Sequence, residues 1–308
     1  MGMPFDKKTL IIPDSTIFEE HNIVTKSDVI ISDRTNLEYG IITDTRVFIG
    51  ERVNTNGSIS AKDDIRIDMF SAVNGDIKGE KDIYLGEKVR VFGKVGVGRD
   101  LDVGDDVKIE KGFEARGWIN IRNPIPIVMY LFIYLMELLM QGKSKEVDRI
   151  LKELEKDVGD EMFLISKDFL FVPKNSFIGV QETRINGSVR IGNRCRILGN
   201  HFVSGDVQIG NETEIYGKIK AEGDVMIGEK SIVNGDVECK GNLVIEASCQ
   251  VLGDVICKKL EMFRSALING TIKAENGIRF KTPEDENMKE KLERFNIGVD
   301  VIENIMAD

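Results

Sequence analysis

The chain has 308 residues, which is enough for two domains with hydrophobic cores of their own. Its formal net charge is −10, and this acidic balance argues against a broad nucleic-acid-binding surface. Aromatic residues make up only 7% of the chain, while glycine occurs 30 times. This composition favours a core of Val and Ile with many tight turns over an aromatic-rich enzyme core.

Cysteine usage and the first residues of the chain indicate a reducing compartment. The four cysteines, Cys195, Cys239, Cys249 and Cys257, show no Cys-x-x-Cys spacing. The first residues contain no charged stretch followed by an apolar one, so no secretory signal is visible. We therefore expect a cytoplasmic protein with free thiols.

A repeat of 18 residues runs through most of the chain. A fixed period is typical of repeat architectures and is interpreted before any local feature. The blocks of the first series begin at Leu10, Asp28, Arg46, Asp64, Asp82 and Asp100, and those of the second series begin at Leu170, Ser188, Asp206, Asp224 and Asn242. After Asn242 the second series slips by one residue and continues at Lys259.

The block at 206–223 illustrates the local pattern. It contains three pairs of apolar or small residues, and one residue separates the members of each pair. The pairs are Val207 with Ile209, Thr213 with Ile215, and Ile219 with Ala221. This period of two predicts three short strands, each with one buried face. Glycines 210, 217 and 223 are predicted at the corners, where a positive φ or a close backbone approach is needed.

Equivalent residues of successive blocks form columns, such as Val207, Val225 and Leu243. One coil cannot bury its own apolar face, whereas a stack of coils builds a continuous core and pairs each strand with its neighbours. The sequence therefore predicts an all-β solenoid, with two tandem β-helices of about six coils each and no helix within 28–117 or 188–276. The side chains predicted to point inward include Val225, Ile227, Val233, Val237 and Cys239.

The two series are copies of each other, because Leu10-Ile11-Ile12-Pro13 matches Leu170-Phe171-Val172-Pro173. Each series ends in a polar residue and a proline, which is typical of the start of a helix. Four parts are predicted: a first β-helix domain at 1–122, a hydrophobic helical hairpin at 123–160, a second β-helix domain at 161–281, and a C-terminal helical cap at 282–308.

The segment at 125–140 is apolar apart from Pro126 and Glu137. A helix that is apolar on all sides must be buried, but this segment is shorter than the roughly 20 residues that span a bilayer. We expect it to cover a solenoid end, to contact another copy of the chain, or to anchor the protein peripherally at the inner face of the membrane. The candidate residues for assembly or membrane contact are Ile127, Tyr130, Leu131, Tyr134, Leu135 and Leu138.

The main alternative is the left-handed hexapeptide β-helix of acyltransferases, whose coil has the same length. Such enzymes need a His general base or several His residues that hold a metal ion. Only His21 and His201 occur, and His201 falls at an inward position of its block. We interpret His201 as a structural residue and predict no catalytic residue.

A carboxylate recurs once per coil at Asp64, Asp82 and Asp100. Such a column could be a ladder of cation sites, but Asp also favours turns because it bonds nearby backbone N–H groups. We favour the second interpretation and predict neither a metal nor a cofactor. Cys239 and Cys257 share one inward column and are predicted to be buried, small apolar residues.

The repeated units resemble those of the bactofilins, which are polymer-forming cytoskeletal proteins. The resemblance rests on "SIVNGDVECKG", "QVLGDVICK", "SAVNGDIKGE" and "ALINGTIKAENG", and it covers both series. Typical members have one β-helix, so a second copy departs from the family pattern.

The resemblance implies a right-handed, roughly triangular β-helix without a nucleotide or metal cofactor. It also implies end-to-end self-assembly through the terminal coils and a scaffold role at the membrane or cell envelope. We therefore expect a non-enzymatic scaffold protein. Its expected partners are other copies of itself and a membrane surface, with no nucleic acid and no small-molecule substrate.

Overall fold

The computed structural model describes residues 8–121 and 169–281, and these two ranges consist of strands and turns without a helix. They divide between two compact units. The first solenoid consists of the described residues within Glu20–Asn175, and the second solenoid consists of the described residues within Met1–Glu19 and Ser176–Asp308. Each solenoid is formed by short strands that wind through three sheets.

The strands of residues 8–121 are β1 (Leu10–Ile12), β2 (Ile17–Phe18), β3 (Asn22–Thr25), β4 (Asp28–Ile31), β5 (Asn36–Leu37), β6 (Gly40–Thr43), β7 (Val47–Ile49), β8 (Asn54–Thr55), β9 (Ile59–Ala61), β10 (Ile65–Ile67), β11 (Ala72–Val73), β12 (Ile77–Gly79), β13 (Ile83–Leu85), β14 (Arg90–Val91), β15 (Val95–Val97), β16 (Leu101–Val103), β17 (Lys108–Ile109), β18 (Phe113–Ala115) and β19 (Ile119–Ile121).

The strands of residues 169–281 are β20 (Phe169–Val172), β21 (Phe177–Ile178), β22 (Glu182–Ile185), β23 (Val189–Ile191), β24 (Arg196–Leu198), β25 (Asn200–Val203), β26 (Val207–Ile209), β27 (Glu214–Tyr216), β28 (Ile219–Ala221), β29 (Val225–Ile227), β30 (Ile232–Val233), β31 (Val237–Cys239), β32 (Asn242–Ile245), β33 (Gln250–Val251), β34 (Val255–Cys257), β35 (Lys259–Phe263), β36 (Leu267–Ile268), β37 (Ile272–Ala274) and β38 (Ile278–Lys281).

Every third strand joins the same sheet. In the first solenoid the sheet orders are β4-β7-β10-β13-β16-β19, β3-β6-β9-β12-β15-β18 and β5-β8-β11-β14-β17. In the second solenoid they are β23-β26-β29-β32-β35-β38, β24-β27-β30-β33-β36 and β22-β25-β28-β31-β34-β37. Strands of successive coils pair in parallel, which is what winding in one direction requires.

The register between coils confirms the repeat. Ile65 pairs with Ile83, one block further along the chain. The predicted slip also occurs, because Leu243 pairs with Leu260 rather than with the residue after it. The chain therefore absorbs a one-residue deletion between these coils without loss of pairing. About twelve turns result across the two solenoids.

The core consists of the predicted columns. Val225, Ile227, Val233, Val237 and Cys239 are all buried, and none is more than 4% exposed. The three pairs of the block at 206–223 are buried as well. Because a strand alternates its side chains between two faces, the period-two pattern was sufficient to assign them.

The corners differ from the prediction in one respect. The structure combines close approach at glycine with a left-handed backbone at exposed non-glycine residues, one per coil along one corner. These residues are Ser15, Arg34, Arg52, Phe70, Lys88, Asp106, Asn175, Arg194, Glu212, Lys230 and Ser248. A Cβ at Gly210, Gly217 or Gly223 would collide with the preceding coil. These glycines therefore allow neighbouring coils to approach closely, and Gly217 also has the positive φ that was predicted, 155°. The left-handed non-glycine residues lie where their side chains have solvent around them.

The first segments of the two copies are exchanged. Strand β1 belongs to the second solenoid and pairs with β23, with Leu10 opposite Val189. Strand β20 belongs to the first solenoid and pairs with β4, with Leu170 opposite Val29. Each copy therefore supplies the first strand of the other, which the repeat alone did not indicate.

Several predictions concern residues outside those that the structure describes. The helical hairpin at 123–160 and the C-terminal helical cap at 282–308 lie there, so the structure gives no support for either helix. The hand of the winding and the predicted domain limits, 1–122 and 161–281, stay predictions.

Candidate functional site: the terminal coils

The recurring carboxylates connect successive coils. The backbone N–H of Asp82 donates to Asp64 Oδ1 at 3.1 Å, that of Asp100 to Asp82 Oδ1 at 3.0 Å, and that of Trp118 to Asp100 Oδ1 at 2.7 Å. Each Asp therefore stabilises the turn of the following coil by accepting its N–H. This agrees with the interpretation of the column as a set of corner residues rather than cation ligands.

Among the described residues, no group of three or more His, Cys, Asp or Glu side chains is arranged to hold a metal ion. A shallow groove of about 600 Å³ lies on the outer face of the second solenoid, and Arg190 and Met226 help to line it. Its three carboxylates each accept a hydrogen bond: Asp206 Oδ1 from the N–H of Asp224, Asp224 Oδ1 from the N–H of Asn242, and Glu261 Oε1 from Lys259 Nζ. The residues that line the groove include no His or Cys, so it lacks the His general base that the acyltransferase alternative requires.

His201 lies inside the second solenoid and is only 5% exposed. It pairs with Thr183 of the preceding coil and with Ile219 of the following one. Within residues 8–121 and 169–281, His201 Nε2 and Thr183 Oγ1 have no hydrogen-bond partner. Burial lowers the pKa of His201 to about 4, so the imidazole is neutral at pH 7.

Acid is expected to destabilise the second solenoid through His201. Protonation is disfavoured in the folded state, where the pKa is about 4, and allowed in the unfolded state, where it is 6.5. The stability contribution is therefore complete above pH 6.5 and is lost as the pH falls towards 4. Relative to pH 7, the loss should be about 2 kcal/mol at pH 5 and about 3 kcal/mol at pH 4.

The measurement is denaturant unfolding of the wild type and of His201→Ile between pH 7 and pH 4. Ile is the residue that the next coil has at this place, Ile219, so the replacement fits the column. The variant should lack the part of the acid dependence that belongs to His201. Parallel curves for the two proteins would contradict the assignment.

All four cysteines are free and buried. Burial raises the pKa of the Cys195 thiol to about 11 and also raises the pKa of Cys249. A hydrogen bond with Cys257, together with burial, raises the pKa of Cys239. Because the thiolate is the reactive form, Cys195, Cys239 and Cys249 act as small core residues. The hydrogen bond with Cys239 lowers the pKa of Cys257, but its side chain is only 2% exposed in the same column.

The last coil of the first solenoid exposes residues from inward columns. We call residues 104–121 the first end. Ile119 and Ile121 continue the columns of Leu101 and Val103, yet they are 45% and 66% exposed. Phe113 continues the column of Val95 and is 42% exposed. These side chains occupy core positions of a coil on which, among the described residues, no further coil is stacked.

The last coil of the second solenoid has the same property. We call residues 264–281 the second end. Ile278 and Phe280 continue the columns of Leu260 and Met262 but are 45% and 54% exposed. Ile272 is 37% exposed in the same way. In contrast, the inward residues of strands β1 and β20 are buried.

The backbone of both ends is also available for pairing. Strands β17, β18 and β19, and likewise β36, β37 and β38, are the last strands of their sheets among the described residues. A last strand presents a row of N–H and C=O groups that can pair with a further strand. An end of this kind therefore combines an apolar surface with unused hydrogen-bonding capacity.

The residues proposed earlier for assembly or membrane contact, Ile127, Tyr130, Leu131, Tyr134, Leu135 and Leu138, lie outside the described residues, so their role stays a prediction. Within the part of the chain that the structure describes, no helix is suited in length and hydrophobicity to crossing a membrane. The terminal side chains were not singled out as contact residues. The sequence feature that could have identified them is the apolar alternation of 118–121 and 277–280, after which no further repeat block follows.

Parallel β-solenoids of this kind belong to the class of repeat proteins, in which each repeat contacts only its neighbours. Residues 176–275 match the family model described as Bactofilin: Polymer-forming cytoskeletal. Residues 176–275 are therefore similar to the bactofilin family, and the resemblance is confirmed for this segment. The comparisons with curated proteins and with solved structures gave no match.

Proposed function

We propose that this protein is a non-enzymatic, bactofilin-like scaffold that assembles with copies of itself through its terminal coils. The observation that carries the proposal is the exposure of core positions at the two ends, led by Ile121 and Phe280. Apolar side chains at these places gain stability when a further coil covers them, by roughly 25 cal/mol for each Å² buried. The polymer-forming character of the matched family supports the same conclusion.

The first solenoid is proposed to be a second domain of the same kind. The family match covers residues 176–275 only. However, the first solenoid has the same coil length, the same three sheets and the same parallel register. The corner hydrogen bonds from one coil to the next also recur in both solenoids.

The acyltransferase alternative lacks support in the described residues. His201 is enclosed in the core, and the surface groove contains no His. The family match also describes a cytoskeletal group rather than an enzyme. Membrane attachment remains a separate proposal that depends on residues 125–140.

The test compares charges at the ends with a charge on the side wall. Ile121→Glu with Phe280→Glu should convert concentration-dependent oligomers into monomers, because buried unpaired carboxylates cost several kcal/mol. Met226→Glu is the control, since Met226 is also a large apolar side chain and is 42% exposed, but on an outer face. Sedimentation velocity measures the size distribution of each protein.

Two results would contradict the proposal. A wild-type chain that sediments as a monomer at all concentrations would remove the assembly itself. An equal loss of assembly in Met226→Glu would show that the ends are not its site. Circular dichroism should show that all three proteins stay folded, because the substituted side chains are already exposed.

A further inference from the structure

We infer that the two ends bind each other, so that the first end of one chain contacts the second end of another copy. This inference rests on the proposed function and adds which surfaces are partners. Self-assembly through the ends would also be satisfied by a contact between two first ends or between two second ends. The side chains on the two ends distinguish these arrangements.

The two ends have equivalent backbones. Leu101 N–H donates to Trp118 O at 2.8 Å, and Leu260 N–H donates to Gly277 O at 3.2 Å. Both ends are therefore the same part of the repeat, the side on which a next coil would stack. A contact between like ends and a contact between unlike ends need the same backbone arrangement, so side chains decide between them.

The ends differ in charge. The second end has four basic residues and one acidic residue, namely Arg264, Lys273, Arg279, Lys281 and Glu275. The first end has four acidic and three basic residues, namely Asp105, Asp106, Glu110, Glu114, Lys108, Lys111 and Arg116. Two second ends would bring like charges together, which disfavours that contact, whereas a first end opposite a second end avoids this repulsion.

Ion pairs within the chain neutralise some of these charges, but the second end keeps its excess of positive charge. Lys281 Nζ lies 3.2 Å from Glu246, and Lys94 Nζ lies 2.7 Å from Glu114. Arg264, Lys273 and Arg279 still outnumber Glu275 on the second end. The basic excess there occurs in a chain whose net charge is −10.

Residues at matched places have opposite signs. At the offset of 159 residues that relates Trp118 to Gly277, three charged pairs occur. They are Asp105 with Arg264, Glu114 with Lys273, and Arg116 with Glu275. All of these side chains are at least partly exposed. The two ends therefore have opposite charges at these three equivalent places.

Shape favours the same partner. Trp118 is 83% exposed at the corner of the first end. At the matched place the second end has Gly277, and a Cβ added there would meet nothing within 4 Å. Two first ends would bring two Trp118 side chains to one interface. A first end opposite a second end brings only one, against a surface with open space.

A contact between unlike ends is heterologous. Such contacts produce a closed ring when the rotation between copies closes, and an open filament when it does not. Every chain would then use one first end and one second end, so chains would follow one another in one direction.

The test uses two variants that each block one end. Variant F, Ile119→Glu with Ile121→Glu, retains only the second end. Variant S, Ile278→Glu with Phe280→Glu, retains only the first end. We expect each variant alone to be monomeric by sedimentation velocity and native mass spectrometry. An equimolar mixture should form dimers of one F and one S that grow no further, and higher salt should weaken them about tenfold.

The other outcomes separate this inference from the proposed function. If F alone and S alone each form dimers and the mixture contains no mixed dimer, the inference is overturned while self-assembly stands. If the wild type is itself monomeric, both fail. Hydrogen exchange of 83–103 and 243–263 should match the wild type in both variants, which shows that the coils behind the ends remain folded.

Discussion

Replacing Leu10 and Ile12 with Asp is expected to unfold the second solenoid first, although both residues precede the first solenoid in the chain. Their backbones pair with β23, and Gly192 N–H donates to Ile12 O at 2.8 Å. Both side chains are buried, at 3% and 2% exposure. Two unpaired carboxylates in this core should lower the free energy of unfolding by about 4 kcal/mol or more.

Hydrogen exchange with mass spectrometry locates the loss. Amides within 189–209 should lose protection, while those within 47–67 should keep most of it. The reciprocal variant, Leu170→Asp with Val172→Asp, is the matched control and should reverse the pattern, because β20 pairs with β4 and Ser32 N–H donates to Val172 O at 2.9 Å. If Leu10 and Ile12 instead protect 29–49, the exchange of first segments is wrong.

Gly93→Ala is expected to destabilise the first solenoid strongly, whereas Gly96→Ala is expected to be tolerated. A Cβ at Gly93 would overlap the carbonyl oxygen of Gly75 and Asp76 Oδ1 in the preceding coil. Backbone atoms cannot move away without breaking the parallel pairing, so the cost should reach about 3 kcal/mol. A Cβ at Gly96 has its nearest atom, Ile77 O, at 4.0 Å, and the loss of glycine's freedom in the unfolded chain could even stabilise by about 0.5 kcal/mol.

Urea unfolding of the two variants and the wild type measures the difference. The two sites are neighbours in the same coil, so composition and position are nearly matched. Equal stability of Gly93→Ala and Gly96→Ala would show that the coils do not approach each other as closely as the structure has them.

The strand positions and the inward columns followed from the sequence because two physical constraints act on every coil. Side chains such as Val225 and Ile227 must alternate with polar ones to bury one face. Each coil must also place Val225 above Val207 to continue the core. Because the two-residue alternation recurs in every block of 18 residues, few other registers between the strands of successive coils would bury the apolar side chains.

The exchange of first segments could not be predicted from the sequence in the same way. Leu10-Ile11-Ile12-Pro13 and Leu170-Phe171-Val172-Pro173 have the same apolar pattern, so either segment fits the columns that begin at Val29 and Val189. The apolar pattern therefore predicts that each segment forms a strand of a coil, but it does not predict on which of the two copies that strand stacks. The left-handed corner at Arg52 or Lys88 was missed because these residues are unusual there.

The end residues were only partly accessible from sequence. The last blocks, at 118–121 and 277–280, show strand alternation like any other block. Their difference is that no following block covers them, and this becomes visible only when exposure is known for Ile121 and Phe280.

The most direct test of the central claim is the size distribution of the unmodified full chain as a function of concentration. Sedimentation velocity from about 1 to about 100 μM covers the range in which contacts of moderate affinity form. Assembly through the ends predicts that the weight-average mass rises steadily above that of the 34.6 kDa chain as concentration increases. A single monomeric species across the whole range, with both solenoids folded, would contradict the account.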